Sequence, residues 1–143
     1  MLREKKKKAT KKVIKHYQRM LKLDDYRITS RFKTVGEDRD LKNQYAVVGI
    51  DNKNKTIYVK LNSIEWARMK GREMKRFILH ELLHSFFWEL SNLFDEVVIK
   101  TRFSLRKQGG YIRKFEEIEH RKINHLVRIL TKLDKYKVVL KKK

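Results

Sequence analysis

His80-Glu81-Leu82-Leu83-His84 sits inside a helical pattern that runs from Arg72 to Leu90, and its reading decides the fold. Residues four apart on a helix lie one above the other. His80 and His84 are therefore expected on one face, close enough for both imidazoles to reach a single ion. Glu81 lies on the same side, one step around. Ile78, Leu79, Leu82, Leu83, Phe86 and Leu90 fall opposite and are expected to be buried. Two imidazoles with a carboxylate beside them form the donor pattern of a hydrolytic zinc site in which the carboxylate acts as base. The competing reading is a surface helix with two unrelated histidines, and it leaves the division of faces unexplained.

The chain around this run has 143 residues, enough for one domain with one core. No stretch approaches the roughly 18 apolar residues of a membrane span, so no membrane partner is expected. The start, Met1-Leu2-Arg3-Glu4-Lys5-Lys6-Lys7-Lys8, is basic with no apolar signal core behind it, and a cytoplasmic location is expected. Cysteine is absent, which excludes disulfides and a cysteine-ligated structural zinc. The net charge of +21 has two readings: a polyanion partner, most simply nucleic acid, or a solvated basic surface. No zinc-knuckle or RNA-binding sheet motif accompanies the charge. The sequence does not constrain the oligomeric state.

In chain order, residues 1–9 read as a disordered basic tail, residues 10–134 as a single domain, and residues 135–143 as a basic end. A helix is expected from about Ala9 to Lys22, with Val13, Ile14, Tyr17, Met20 and Leu21 as its apolar stripe. Leu23-Asp24-Asp25 ends it. Tyr26 to Val35 reads as a strand, Gly36 to Gln44 as a loop, and Tyr45–Asp51 and Thr56–Leu61 as strands joined by an Asn52-Lys53-Asn54-Lys55 turn. One face of the sheet is expected to be buried under the His80 helix. Asn62 is placed to cap the next helix, with Glu65 as capping-box partner. Gly71 either separates a short helix from the long one or sits inside one helix at a cost of about 1 kcal/mol. Val97-Val98-Ile99 fits strand or helix, Arg106 to Gly110 reads as loop, and a helical pattern returns from about Tyr111 to Leu133.

Two histidines do not hold a catalytic zinc, which takes three protein ligands and an open position. On the last helix, Phe115, Ile118, Ile123, Leu126, Ile129, Leu130 and Leu133 form an apolar stripe with Glu119 near its middle. A carboxylate there is costly unless paired or metal-bound. Glu119 is therefore the leading candidate for third ligand, ahead of Glu116 and His120. A salt bridge to Lys122 is the plainer explanation. His16 and His125 read as packed or surface histidines.

The His80–His84 motif with a glutamate on a later helix resembles the gluzincin branch of the zincin metallopeptidases. The order helix, three strands, motif helix, ligand helix is similar to the short minigluzincins and related metallopeptidase-like proteins of archaea, bacteria and viruses. Leu23-Asp24-Asp25-Tyr26 resembles a junction in those proteins, and Glu119 followed by Ile123-Asn124-His125-Leu126 resembles their ligand helix. The likeness covers about residues 10 to 133, and only the motif is specific. It departs from thermolysin-like enzymes at Ile123, where they carry an aspartate. It also departs from proteases that digest DNA-crosslinked proteins, since no histidine lies between His84 and His120.

The resemblance implies an α+β, zincin-like fold with a mainly antiparallel three-stranded sheet. It implies a zinc-dependent peptidase with His80, His84 and Glu119 as ligands and Glu81 as general base acting on water held by the ion. Tyr111, His120 and Arg121 are the candidate oxyanion donors. Tyr45–Asp51 or Thr56–Leu61 would take a peptide substrate as an added strand. The rival function is a nucleic-acid-binding protein on the same scaffold with a structural or vestigial metal site.

Overall fold

A computed structural model describes residues 4–140 except residue 102, with side chains to residue 133. Its described residues form an α+β fold of four helices and a three-stranded mixed sheet: α1 (Glu4–Met20), β1 (Arg27–Lys33), β2 (Ala46–Asp51), β3 (Thr56–Asn62), α2 (Ser63–Arg68), α3 (Gly71–Lys100) and α4 (Leu105–Leu140). A 3-10 turn, Arg39–Leu41, interrupts the β1–β2 connection. The chain divides into two compact units, Met1–Phe86 and Phe87–Lys143.

In the first unit the strand order is β1-β3-β2. β2 and β3 form the expected hairpin, antiparallel from Ala46↔Leu61 to Asp51↔Thr56. Asp51 closes the turn by accepting from the Asn54 backbone N–H at 3.0 Å and from its amide at 2.7 Å. Lys55 completes the turn at φ 47°, in the left-handed region. β1 pairs with β3 in parallel, from Arg27↔Thr56 to Lys33↔Asn62. The sheet is thus mixed rather than mainly antiparallel. The long connection through the 3-10 turn carries β2 past β3, so β3 enters the sheet between its two predecessors. β3 is central, and its alternation is the sharpest: Ile57, Val59 and Leu61 are buried while Tyr58 faces out. Lys60 meets Asp38 at 3.0 Å and Asp40 at 2.9 Å, tying the 3-10 turn to the sheet.

α1 begins at Glu4, so Glu4 to Lys8 belong to the helix and not to a disordered tail; residues 1–3 lie outside the described residues. Two contacts hold this early turn. Lys7 pairs with Glu4 at 2.7 Å, and the Lys6 ammonium donates to the Ala67 and Met69 carbonyls at the end of α2. The buried side of α1 is Thr10, Ile14 and Tyr17. Trp66 Nε1 donates to Thr10 Oγ1 at 3.0 Å, with both residues fully buried. Thr10 Oγ1 lies 2.9 Å from the Lys6 carbonyl oxygen and 3.4 Å from Met74 Sδ, and its one proton goes to the carbonyl, the stronger acceptor.

Asn62 caps α2 by accepting from the backbone N–H groups of Ile64 and Glu65. The reciprocal half of the capping box is replaced, because the Asn62 N–H donates to Tyr45 O at 2.9 Å. Met69 and Lys70 break the helix and Gly71 starts α3, so the glycine separates two helices. Ile78, Leu79, Leu82 and Leu83 are buried as expected, whereas Phe86 is 55% exposed and Leu90 53%. The Phe77 ring lies 4.8 Å from that of Tyr45, just before β2.

In the second unit α3 continues through Val97-Val98-Ile99 to Lys100, and α4 starts at Leu105. Arg106 to Gly110 are therefore helical, not loop. A Cβ at Gly109 or Gly110 would meet nothing within 4 Å, which marks both as surface positions where glycine costs propensity alone. Gln108 Nε2 lies within 3.1–3.5 Å of the Ile99, Thr101 and Phe103 carbonyls at the end of α3. Phe94 and Phe115 stack at 4.2 Å and 13°. Along α4, Ile123 and Val127 are buried and Phe115, Glu119, Leu126 and Leu130 half-buried, while Ile118, Ile129 and Leu133 are exposed. The buried line is rotated slightly from the expected stripe and still includes Glu119. α4 extends to Leu140, past the expected start of the basic end, and residues 141–143 lie outside the described residues.

Thr10→Val keeps the shape of the side chain but leaves the buried Trp66 N–H without its acceptor. We expect a loss of about 1–3 kcal/mol in urea unfolding, and a smaller loss for Thr10→Ser. Equal stability of Thr10→Val and the parent would refute the role given to this bond.

Candidate metal centre

α3 enters the first unit's core through Ile78, Leu79 and Leu82, and this burial fixes the rotation of the turn that carries the motif. His80, Glu81 and His84 are all half-buried. The two Nε2 atoms are 3.2 Å apart, and the rings meet edge-on with centroids 4.9 Å apart. Two imidazoles cannot both be protonated at this distance without strong repulsion. Either one proton is shared along the Nε2–Nε2 line, or both lone pairs turn to one cation. Nitrogens bound at about 2.0–2.1 Å to one tetrahedral zinc lie roughly 3.3–3.4 Å apart. The observed spacing fits that requirement with a small adjustment of side-chain torsions.

Glu81 follows His80 directly. Burial raises its carboxyl to a pKa of about 7. A carboxyl group so placed holds or releases a proton near neutrality, the property wanted in a group that takes a proton from water and later returns it.

The remaining expected site residues lie on α4 in the second unit. Glu119 is half-buried, and its Oε2 accepts from Ser91 Oγ at 3.2 Å. Lys122 is exposed. Glu116 and Glu117 are exposed too, which leaves Glu119 as the inward-facing carboxylate of the three. His120 is exposed, with Nδ1 at 3.0 Å from the Glu116 carbonyl. A carbonyl can only accept, so Nδ1 carries the proton and the Nε2 lone pair is the one able to bind a metal. Backbone carbonyls commonly fix ligand histidines in this way. Periodicity alone did not reveal this feature of His120. Tyr111 is exposed with its ring 5.3 Å from that of Phe103, and Arg121 is exposed. The structure thus brings His80, Glu81 and His84 together and sets Glu119 against Ser91.

The raised pKa of Glu81 has a defined consequence for the metal-free protein. Below pH 4.5 the carboxyl is protonated in folded and unfolded chains alike and contributes no pH dependence. As pH rises from about 4.5 to about 7, the unfolded chain gives up its proton first, and stability falls. Above that window the loss is on the order of 3 kcal/mol. With chelator present, Glu81→Gln should therefore exceed the parent in stability at pH 8 by up to that amount, with the gap closing toward pH 4.5. Urea unfolding at both pH values measures it; a gap that does not change with pH would contradict the assignment.

No protein-family model matches the chain, and neither a curated protein nor a solved structure matches it.

Proposed function

We propose that this chain is a zinc-dependent metallopeptidase of the gluzincin type, with a zincin-like arrangement of its α+β fold. The observation that carries the reading is the turn His80–His84, with two Nε2 atoms 3.2 Å apart beside a carboxyl whose pKa stands near neutrality. A structural site needs no base at that position. The intact glutamate therefore favours hydrolysis over a merely structural ion.

His80 and His84 would hold the ion from α3, and a third ligand is proposed from α4. Glu119 is the first choice because it is the inward-facing carboxylate. His120 is the alternative because its Nδ1–H is held by the Glu116 carbonyl, the tautomer that presents Nε2 as the ligand atom. When bound, zinc supplies Lewis acidity that polarises a peptide carbonyl and makes a water acidic. Glu81 would accept a proton from the attacking water on a carboxylate oxygen and return it to the departing amine. Tyr111 and Arg121 are the proposed oxyanion donors, joined by His120 if Glu119 is the ligand. The peptide would add to β2, which is an edge strand; β3 is central and already paired on both sides.

Glu81→Gln keeps the size and the helix but cannot accept the proton. Peptidase activity on casein should fall by about 10²-fold or more while metal content is retained. An unchanged rate on a substrate the parent cleaves would sink the mechanism. Metal content of Glu119→Ala, His120→Ala and Glu117→Ala separates the third-ligand candidates: one of the first two should lose zinc, and Glu117→Ala should keep it. Full zinc in all three would remove α4 from the site.

A further inference from the structure

Thr10, Ile14 and Tyr17 bury one side of α1, and the opposite side carries Lys5, Lys8, Lys12, Lys15 and Arg19. Their spacing of three, four, three and four residues keeps them within an arc of about 80° at roughly 100° per residue. All five are exposed. They form one straight row about 21 Å long, from fourteen steps of about 1.5 Å. The one acid of the helix, Glu4, pairs with Lys7 and lies outside the row.

Like charges at these spacings destabilise a helix. Some described cations outside the row are balanced locally: Lys60 by Asp38 and Asp40, Arg68 by Glu65. Within three or four residues of the row the one acid on α1 is Glu4, which pairs with Lys7 and also acts on Lys8; Lys12, Lys15 and Arg19 have none. Since the helix is fixed by its buried side, the row is held in place whatever the repulsion. An external polyanion is what would relieve it.

We infer that this row binds the phosphate backbone of duplex nucleic acid without reading sequence. An anionic bilayer fits less well, because a membrane-bound amphipathic helix inserts its apolar side, and here Ile14 and Tyr17 are committed to the core. A single strand fits less well, because it is gripped by stacking on aromatic rings, and the row offers ammonium groups and one guanidinium. Counting both strands, a duplex carries one phosphate per roughly 1.7 Å of its axis, so a row of this length lies within reach of enough phosphates for its five cations to meet about one each. The inference does not depend on the metal centre or on peptidase activity.

The test is fluorescence anisotropy with a labelled duplex of about 20 base pairs and the full chain, between 50 and 200 mM salt. Five phosphate contacts predict a log–log salt slope of about −4.5, a loss of several hundred-fold in affinity across that range. Lys8→Gln, Lys12→Gln and Lys15→Gln together should bring the slope to about −2 and the loss to roughly tenfold. Glutamine has nearly the helix propensity of lysine, and far-ultraviolet circular dichroism checks that α1 persists. The control, Lys53→Gln with Lys75→Gln and Lys107→Gln, removes the same charge elsewhere and should leave the slope near −4.5. Absence of duplex binding at 50 mM salt, a parent slope shallower than about −2, or equal losses in control and row variants would each overturn the inference. So would row-dependent binding to phosphatidylserine–phosphatidylcholine vesicles without duplex binding, which would reassign the row to a membrane surface.

Discussion

The hydrogen bond from Trp66 Nε1 to Thr10 Oγ1 is the contact on which the first unit's arrangement depends. It fixes α2 against α1 inside a space that excludes water, where an unpaired indole N–H would be costly. Met74 Sδ closes on the same hydroxyl, so the start of α3 is registered to the same point. Two consequences follow along the chain. One side of α1 is committed inward, which turns its lysine row outward. The rotation of α3 is set nearly two turns before the motif, and the six and ten residues from Met74 to His80 and His84 carry that rotation into the imidazoles.

Within the motif, burial and charge oppose each other. The helix core that positions His80 and His84 also withdraws Glu81 from water and raises its pKa to about 7. In the metal-free chain this is a cost to stability. A cation held by the imidazoles would reverse that cost by favouring the ionised carboxylate. The same burial that destabilises the fold would suit the carboxyl to the proposed proton transfer, as expected where function and stability compete.

Much of the first unit was legible because its signals are local. The alternation of Ile57, Val59 and Leu61, the Asn52–Lys55 turn and the Asn62 cap all lie within a few residues of what they specify. His80 and His84 were legible for the same reason, since four residues of helix suffice to bring their nitrogens together. What could not be read depends on distant partners. The parallel pairing of β1 with β3 is decided by where β3 inserts, not by β1 itself. From Phe77 to Ile99, α3 is apolar on most sides, so periodicity could not say that Phe86 and Leu90 would be exposed. Gly109-Gly110 suggested a loop because propensity favours one, yet the helix continues through them. The proposed third ligand is hardest of all, because no spacing rule ties a residue on a separate helix to the motif.

X-ray absorption at the zinc edge, on protein loaded with one equivalent of zinc, tests the proposed metal centre most directly. A site on α3 predicts a shell of nitrogen and oxygen scatterers at about 2.0–2.1 Å, with the outer-shell pattern of at least two imidazoles that disappears in the His80→Ala, His84→Ala double variant. A spectrum with no imidazole pattern, or one unchanged in the double variant, would contradict it.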